Sequence, residues 1–490
     1  MANIRIVETS LRDGNQCLWG ATGIDTAKTL TIAPAMERAG FSAIDFTTST
    51  HMGVAVRYKH EDPWDRIRGM ADICKDTPLQ FLSTGFRFIA WETATPDFME
   101  LAFKTLATNG IRRFALADPM NDAASNVEVA RMVKRAGGEQ VVGALVFSIS
   151  PIHDDAHYAA AARTMAESAD IDALYIKDPG GLLTSKRAQT LVPAIMAEIG
   201  DKPLELHSHS TIGLAEQAYC EAADMGITAL QCASGGLASG TSHPSVKRTV
   251  ANLRALGHTV DIDDEAVDEI ADWFTAIADA ENLPKGEAMH FDAAYFQHNL
   301  PGGMVGTMRR HLADQGVPEL EGAVIEEMGR VRRELGWPIV MTPFAQMLQT
   351  QAVMNVTAEN SGEERWGVIP DEIIRFAIGK FGRPNAPVDP EVMDRIMANP
   401  RTRELEAETG MADLKTLRSK LGENLSDEEF LLRATMPQNL VDTMQAAGPA
   451  ERHYDPKKVP LMNLLREVLA REDIDEFSIE KDDFSLDVEA

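Results

Sequence analysis

Strand-like apolar runs recur at residues 4–8, 43–47, 79–83, 113–117, 141–147, 173–176, 204–206 and 229–232. Helical patterns fall between them, such as those over 26–39, 96–108 and 185–199, where apolar residues return at three- and four-residue spacing. A β/α alternation repeated eight times before residue 235 leaves few architectures open. Strands joined by helical crossovers pair in parallel, and eight such units predict a TIM (β/α)8 barrel. A doubly wound open sheet is the alternative, weakened because no Gly-x-Gly-x-x-Gly follows the first strand. The expected class is therefore α/β: a barrel followed by a mostly helical C-terminal domain. In a barrel the chemistry sits at the carboxyl ends of the strands. Those ends read Arg12-Asp13, Thr47-Thr48, Ser83-Thr84, Asp118, Lys177-Asp178, His207 with His209, and Ser234-Gly235.

The unit from Ala173 to Thr211 is the most informative. Residues two apart in a strand share a face, so His207 and His209 aim together. Lys177 ends the preceding strand and opens onto the same end of the sheet. Two imidazoles aimed at one point suggest a metal site. The plainer alternative is a pair of hydrogen-bonded polar residues at a strand end.

The formal net charge is −28 and no basic patch stands out, which argues against nucleic acid and anionic membranes. No apolar run of about 18 residues suggests a membrane span. The four cysteines, Cys17, Cys74, Cys220 and Cys232, lack Cys-x-x-Cys spacing and read as reduced thiols. The chain enters its first strand without a signal peptide, so a cytoplasmic location is expected. From residue 261 the pattern turns helical, with amphipathic stretches at 264–281 and 319–335 and a buried one at 342–356. Residues 290–303 read as an irregular loop that could fold over the barrel mouth, and 382–390 as an extended Pro-rich link. The expected organisation is a metal-binding barrel over 1–260, a helical funnel-like extension over 261–390, and a helical region over 391–460. Residues 461–490 complete it as a short helix plus β-hairpin tail, docked on its own subunit or on a partner.

Several motifs together resemble the carboxyltransferase family of pyruvate carboxylase, the oxaloacetate decarboxylase α subunit and transcarboxylase. Ser10–Leu18, SLRDGNQCL, is similar to the family's T-x-R-D-A-H-Q-S-L, and Arg57 with Glu61-Asp62-Pro63-Trp64 to its R-F-L-G-E-D-P-W. The stretch at 176–184 is similar to K-D-M-A-G-L-L-x-P, 207–215 to H-x-H-D-T-S-G, 300–304 to I-P-G-G-M, and 342–356 to T-P-x-S-Q-x-V-G-T-Q-A-V-x-N-V. The resemblance implies a divalent metal held by Asp13, His207, His209 and a carbamylated Lys177. Carbamylation turns a cationic side chain into an anionic oxygen ligand. Zinc is the expected metal, with manganese or cobalt as alternatives. Thr241, in GTSHPS, falls at the threonine of the family's G-M-T-S-Q-P-S, which shuttles a proton between substrate and biotin; a hydroxyl both donates and accepts. Gln16 takes the place of a glutamine near the substrate. Arg12 would be a cation beside an enolate oxygen.

The chain departs from the family on the substrate side. The family's L-L-R-G-x-N, whose arginine grips the substrate carboxylate, is here Phe81-Leu82-Ser83-Thr84-Gly85-Phe86. Thr84 stands at the arginine's place, and a contact of that kind is worth about 1.5–3 kcal/mol. Arg87 is the candidate replacement. The loop after strand two has also changed, bringing Thr48 and His51 into the expected substrate pocket. No Ala-Met-Lys-Met biotin acceptor is present, so biotin is expected on a separate carrier protein. The tail looks like the segment that precedes the biotinyl domain of carrier proteins. The expected function is a carboxyltransferase subunit of a multi-subunit biotin-dependent carboxylase. It would work with biotin carboxyl carrier and biotin carboxylase subunits on an enolisable small-molecule acceptor other than pyruvate, as a homo-oligomer. The alternatives are a biotin-independent metal-dependent 2-oxoacid decarboxylase or C–C lyase, and a non-catalytic scaffold subunit.

Overall fold

The structure, a computed structural model, describes residues 2–90, 92–314, 316–459, 476–481 and 484–489. Eight parallel strands close a barrel in sequence order: β1 (Arg5–Glu8), β2 (Ala43–Thr48), β3 (Leu79–Ser83), β4 (Ile111–Leu116), β5 (Gln140–Val146), β6 (Ala173–Asp178), β7 (Leu204–Ser208) and β8 (Ala229–Cys232), with β8 pairing back onto β1. The strands are buried almost throughout, as both faces of a parallel sheet must be. Helices start where a short polar side chain can accept a free N–H. Asp25, Asp122, Asp154, Thr184 and Ser245 do so, each worth about 1 kcal/mol. Among the described residues no helix is long and apolar enough to cross a membrane.

The barrel lumen is apolar on one side and polar on the other. Leu82, Ala115, Val142, Ala144 and Tyr175 line it over β3 to β6, and Ile339 and Met341 from the C-terminal half pack against them. Deeper in, strand residues that point inward form a continuous polar chain. Asp45 Oδ1 accepts from Gln80 at 2.9 Å, and Gln80 Oε1 accepts from Arg113 Nε at 2.6 Å. Arg113 Nη2 pairs with Glu205 Oε2 at 2.6 Å, and Gln231 Nε2 donates to the same oxygen at 3.3 Å.

Beyond the barrel, helices Asp264–Glu281, Glu321–Glu334 and Phe344–Asn360 match the expected amphipathic and buried stretches. Residues 290–303, expected as irregular, hold a short helix at Tyr295–His298, and a longer helix, Gly302–Asp314, begins inside the Pro-Gly-Gly sequence. Most apolar residues from Leu300 to Leu405 form a second core of their own. The chain then returns to the barrel: Met411, Phe430, Leu431, Val441 and Met444 belong to the same core as Trp64 and Phe98. Strands β9 (Glu476–Lys481) and β10 (Phe484–Glu489) pair antiparallel as a separate two-stranded sheet, in the register of the expected hairpin. The helix expected over 461–470 lies outside the described residues.

Candidate metal centre

After β1 the chain makes a widened, π-type turn, Ser10–Gly14, in which Gly14 N–H reaches back to Thr9 O at 3.1 Å. Such turns add a residue to the helical circuit and re-aim side chains. Here Asp13 comes to face the strand ends opposite. Lys177 and His207 are register partners on β6 and β7, and both meet Asp13. Asp178, one residue on, points away. Its carboxylate accepts N–H from Leu182 at 3.0 Å and Leu183 at 2.8 Å, and the Ser208 hydroxyl at 2.8 Å. Asp178 therefore pins the 179–184 loop and is not the partner of Lys177.

Asp13 Oδ2 lies 3.3 Å from His207 Nε2 and 3.7 Å from each of His209 Nε2, His243 Nε2 and Lys177 Nζ. Lys177 Nζ is 3.0 Å from His207 Nε2. The potential ligand atoms of Asp13, His207, His209 and His243 all lie within 4.8 Å of one another, and the four residues are buried. The tautomers of His207 and His209 follow from their other ring nitrogens. His207 Nδ1 donates to Gln231 Oε1 at 2.8 Å; the amide is oriented by its NH2 on Glu205. His209 Nδ1 donates to Thr241 O at 2.7 Å. Both Nε2 lone pairs are thus directed inward. Burial, with the charge of Lys177, holds His207 well below the usual imidazole range, and burial lowers His209 too, so both rings are in the neutral form that a metal ion requires. Burial pushes Asp13 up, yet Arg12 and Lys177 hold it well below the usual carboxylate range. Bare nitrogens around an ionised carboxylate fit a divalent cation of the kind that takes N and O donors. Burial also lowers Lys177, which favours the neutral amine that can carry a carbamate.

Arg12 is 4% exposed and locked in place. Its Nε and Nη2 reach Asp45 Oδ2 at 2.6 and 2.5 Å, and its Nη1 reaches Asp13 Oδ2 at 2.7 Å. Burial alone would lower its pKa; the two carboxylates raise it instead. The Thr241 hydroxyl donates to Cys17 O at 3.2 Å, and Cys17 Sγ is 3.3 Å from Asp13 Oδ1, so Thr241 borders the centre. Gln16 is half-buried on helix Asn15–Trp19, directly after the Asp13 turn. Thr48 caps the helix Ser49–Val54 by accepting Thr50 N–H at 2.9 Å. His51 is buried beside Arg12, and neither of its ring nitrogens has a hydrogen-bond partner among the described residues. Burial and the charge of Arg12 push its pKa down to about 3. Thr84 and Arg87 lie on the β3 side. The Arg87 guanidinium sits 5.2 Å over the Phe381 ring and feels the charge of Asp118. Asp13, Lys177, His207, His209, Arg12 and Thr241 thus come together, His51 adjoins them, and Arg87 stands apart with Phe381.

Sequence reasoning missed His243, Cys17 and the Asp45–Gln80–Arg113–Glu205–Gln231 chain. His243 carried a signal: it stands where the family's G-M-T-S-Q-P-S has glutamine. The polar chain carried none that a single strand could display.

An α/β barrel with a buried Asp–His cluster at the carboxyl ends of its strands defines the class, and a family model described as HMGL-like matches residues 3–273. A second model, a conserved carboxylase domain, matches residues 296–484. The chain is 32% identical over 397 residues to a pyruvate carboxylase subunit of Methanocaldococcus jannaschii, covering 80% of this chain and 68% of that one. It is 29% identical over 464 residues to the 2-oxoglutarate carboxylase large subunit of Hydrogenobacter thermophilus, covering 92% and 70%. The carboxyl transferase domain of Rhizobium etli pyruvate carboxylase, solved with pyruvate and biocytin, shares the fold with a TM-score of 0.81 at 20% identity, over 93% of this chain and 80% of that one. The chain belongs to the pyruvate carboxylase family of carboxyltransferases.

Proposed function

We propose that this chain is the carboxyltransferase subunit of a multi-subunit biotin-dependent carboxylase. It moves a carboxyl group from carboxybiotin on a separate carrier to an enolisable small-molecule acceptor other than pyruvate. The observation that carries the reading is the convergence of Asp13, Lys177, His207 and His209 beside Thr241 at the carboxyl ends of the strands. Asp13, His207, His209 and a carbamylated Lys177 would hold the metal, zinc before manganese or cobalt. Lys177 reaches that state when its neutral amine adds carbon dioxide and loses a proton. A divalent ion there supplies Lewis-acid polarisation of the acceptor's carbonyl.

The rest of the chemistry belongs to side chains. Arg12, fixed by two carboxylates, presents a cation that costs no reorganisation as charge develops on the acceptor's oxygen. In the overall exchange the acceptor carbon loses a proton and gains the carboxyl group, while the biotin nitrogen gains the proton. Thr241 Oγ can take a proton on one lone pair and give up its own, which suits that relay. Gln16 and His51 border the acceptor, Thr48 and Thr84 complete its pocket, and Arg87, held beside Phe381, would reach it only from farther out. Thr84 at the place of the family's carboxylate-gripping arginine is what argues for an acceptor other than pyruvate. Residues 1–260 would be the catalytic barrel, 261–390 the extension over its mouth, 391–460 a helical brace, and 461–490 a docking tail for the carrier or biotin carboxylase subunit. We place the assembly in the cytoplasm, as a homo-oligomer of this subunit with those partners.

The test is native purification followed by metal analysis and a biotin blot of the accompanying proteins. A bound divalent metal and a biotinylated partner are expected. Stoichiometric metal without any biotinylated partner would favour the biotin-independent decarboxylase or lyase. A metal-free protein would favour the scaffold.

A further inference from the structure

His243 is fully buried, and its Nε2 lies 3.1 Å from His207 Nε2 and 3.7 Å from Asp13 Oδ2. Its ring centroid is 4.2 Å from that of His207 and 4.4 Å from that of His209. Thr9 decides which nitrogen carries the proton. Thr9 Oγ1 is 2.9 Å from Cys232 O, which can only accept, and 2.9 Å from His243 Nδ1. A hydroxyl has one hydrogen. Given to Cys232 O, it leaves a lone pair for the Nδ1–H of His243, and the Nε2 lone pair then points at Asp13 and His207. Three bare imidazole nitrogens and a carboxylate oxygen crowd one buried space. Lys177 Nζ meets His207 Nε2 at 3.0 Å and Arg12 Nη1 meets Asp13 Oδ2 at 2.7 Å, and a divalent cation among the three nitrogens and the carboxylate would satisfy the lone pairs of His209 and His243 as well.

We propose that His243 is a direct ligand of the metal, making this a three-histidine centre. The proposal rests on the metal-centre reading above and extends it. At this position the family motif has glutamine, a weaker oxygen or amide donor. Replacing it by histidine adds a third nitrogen, which shifts preference toward zinc, cobalt or nickel and away from magnesium or manganese. Thr9 acts as the outer partner that fixes the ring and its tautomer.

X-ray absorption on the zinc-loaded full chain counts imidazoles without any need for a variant. Three in the native protein, falling to two in His243→Gln, is the expected result. Competition with a chelator should show His243→Gln losing at least the ~10–100-fold in affinity that loss of an outer-shell partner costs. Two imidazoles in the native protein, unchanged in His243→Gln, would overturn the ligand assignment while leaving the metal centre intact. A native protein that binds no divalent metal at all would overturn the centre itself, and the ligand with it.

Discussion

The Arg113–Glu205 pair offers a quantitative test of how the barrel supports the centre. The two side chains are 2% and 1% exposed and sit 2.6 Å apart inside the lumen. Arg113→Met removes the cation. Glu205 is then left with Gln231 Nε2 at 3.3 Å, and Gln80 Oε1 loses its donor. Removing one member of a buried pair costs about 3–5 kcal/mol, mostly because the other charge stays buried. For 490 residues unfolding as a unit, that is a Tm roughly 3–5 °C lower. Arg113→Met/Glu205→Leu removes both charges and should recover much of the loss, since an apolar replacement of a buried pair is often neutral. Denaturant titration and calorimetry of the four proteins of this double-mutant cycle give the coupling energy. Gln231 also orients His207, so Arg113→Met should reduce metal retention, read by elemental mass spectrometry. If the double variant loses the sum of the two single losses, the pair is not coupled and the argument fails.

Lys177→Ala should lower metal content, because alanine cannot carry a carbamate; full occupancy would remove the carbamate from the ligand set. Thr241→Ala should keep its metal and lose about 10²- to 10⁴-fold in turnover, the usual worth of a positioned proton-transfer group, and a normal rate would discard the relay. Burial pushes Glu8 from its ordinary 4.5 up to about 7. Between those pH values the unfolded chain ionises while the folded one keeps its proton. Stability therefore falls as pH rises through that window, by about 3 kcal/mol in full. Glu8→Gln should flatten that part of the stability–pH curve, and an unchanged curve counts against it. Truncation after Val459 should leave the melting temperature unchanged and abolish capture of a biotinylated protein, because among the described residues β9 and β10 pair only with each other, in a sheet separate from the barrel to which a partner could add a strand. Retained capture, or a much earlier melt, would sink the docking role.

The eight strands were legible because parallel strands buried on both faces read as short apolar runs between turn residues. His207 and His209 were legible from their spacing, and Lys177 from its place at a strand end. His243 was hidden because it sits in a loop after β8, where no period marks which side chains turn inward. Arg113 and Glu205 were hidden for another reason. A charged residue in a strand reads as outward until closure brings its partner across the lumen. The helix Gly302–Asp314 was masked by its Pro-Gly-Gly start, a sequence that ordinarily signals a turn.

The return of the chain to the barrel after residue 405 bears on how the protein is made. Phe430 packs 6.2 Å from Phe98, Trp64 Nε1 donates to the carbonyl of Glu428 at 3.3 Å, and the Glu428 carboxylate takes Asn109 at 3.0 Å and Arg68 at 2.6 Å. These contacts seal helices Pro63–Ile73 and Pro96–Thr108, which leave the ribosome more than 300 residues earlier. During synthesis the nascent barrel must hold a bare aromatic patch while the whole second core is translated. A stalled or proteolysed chain ending near residue 400 would carry that patch uncovered, and chaperones would find it there.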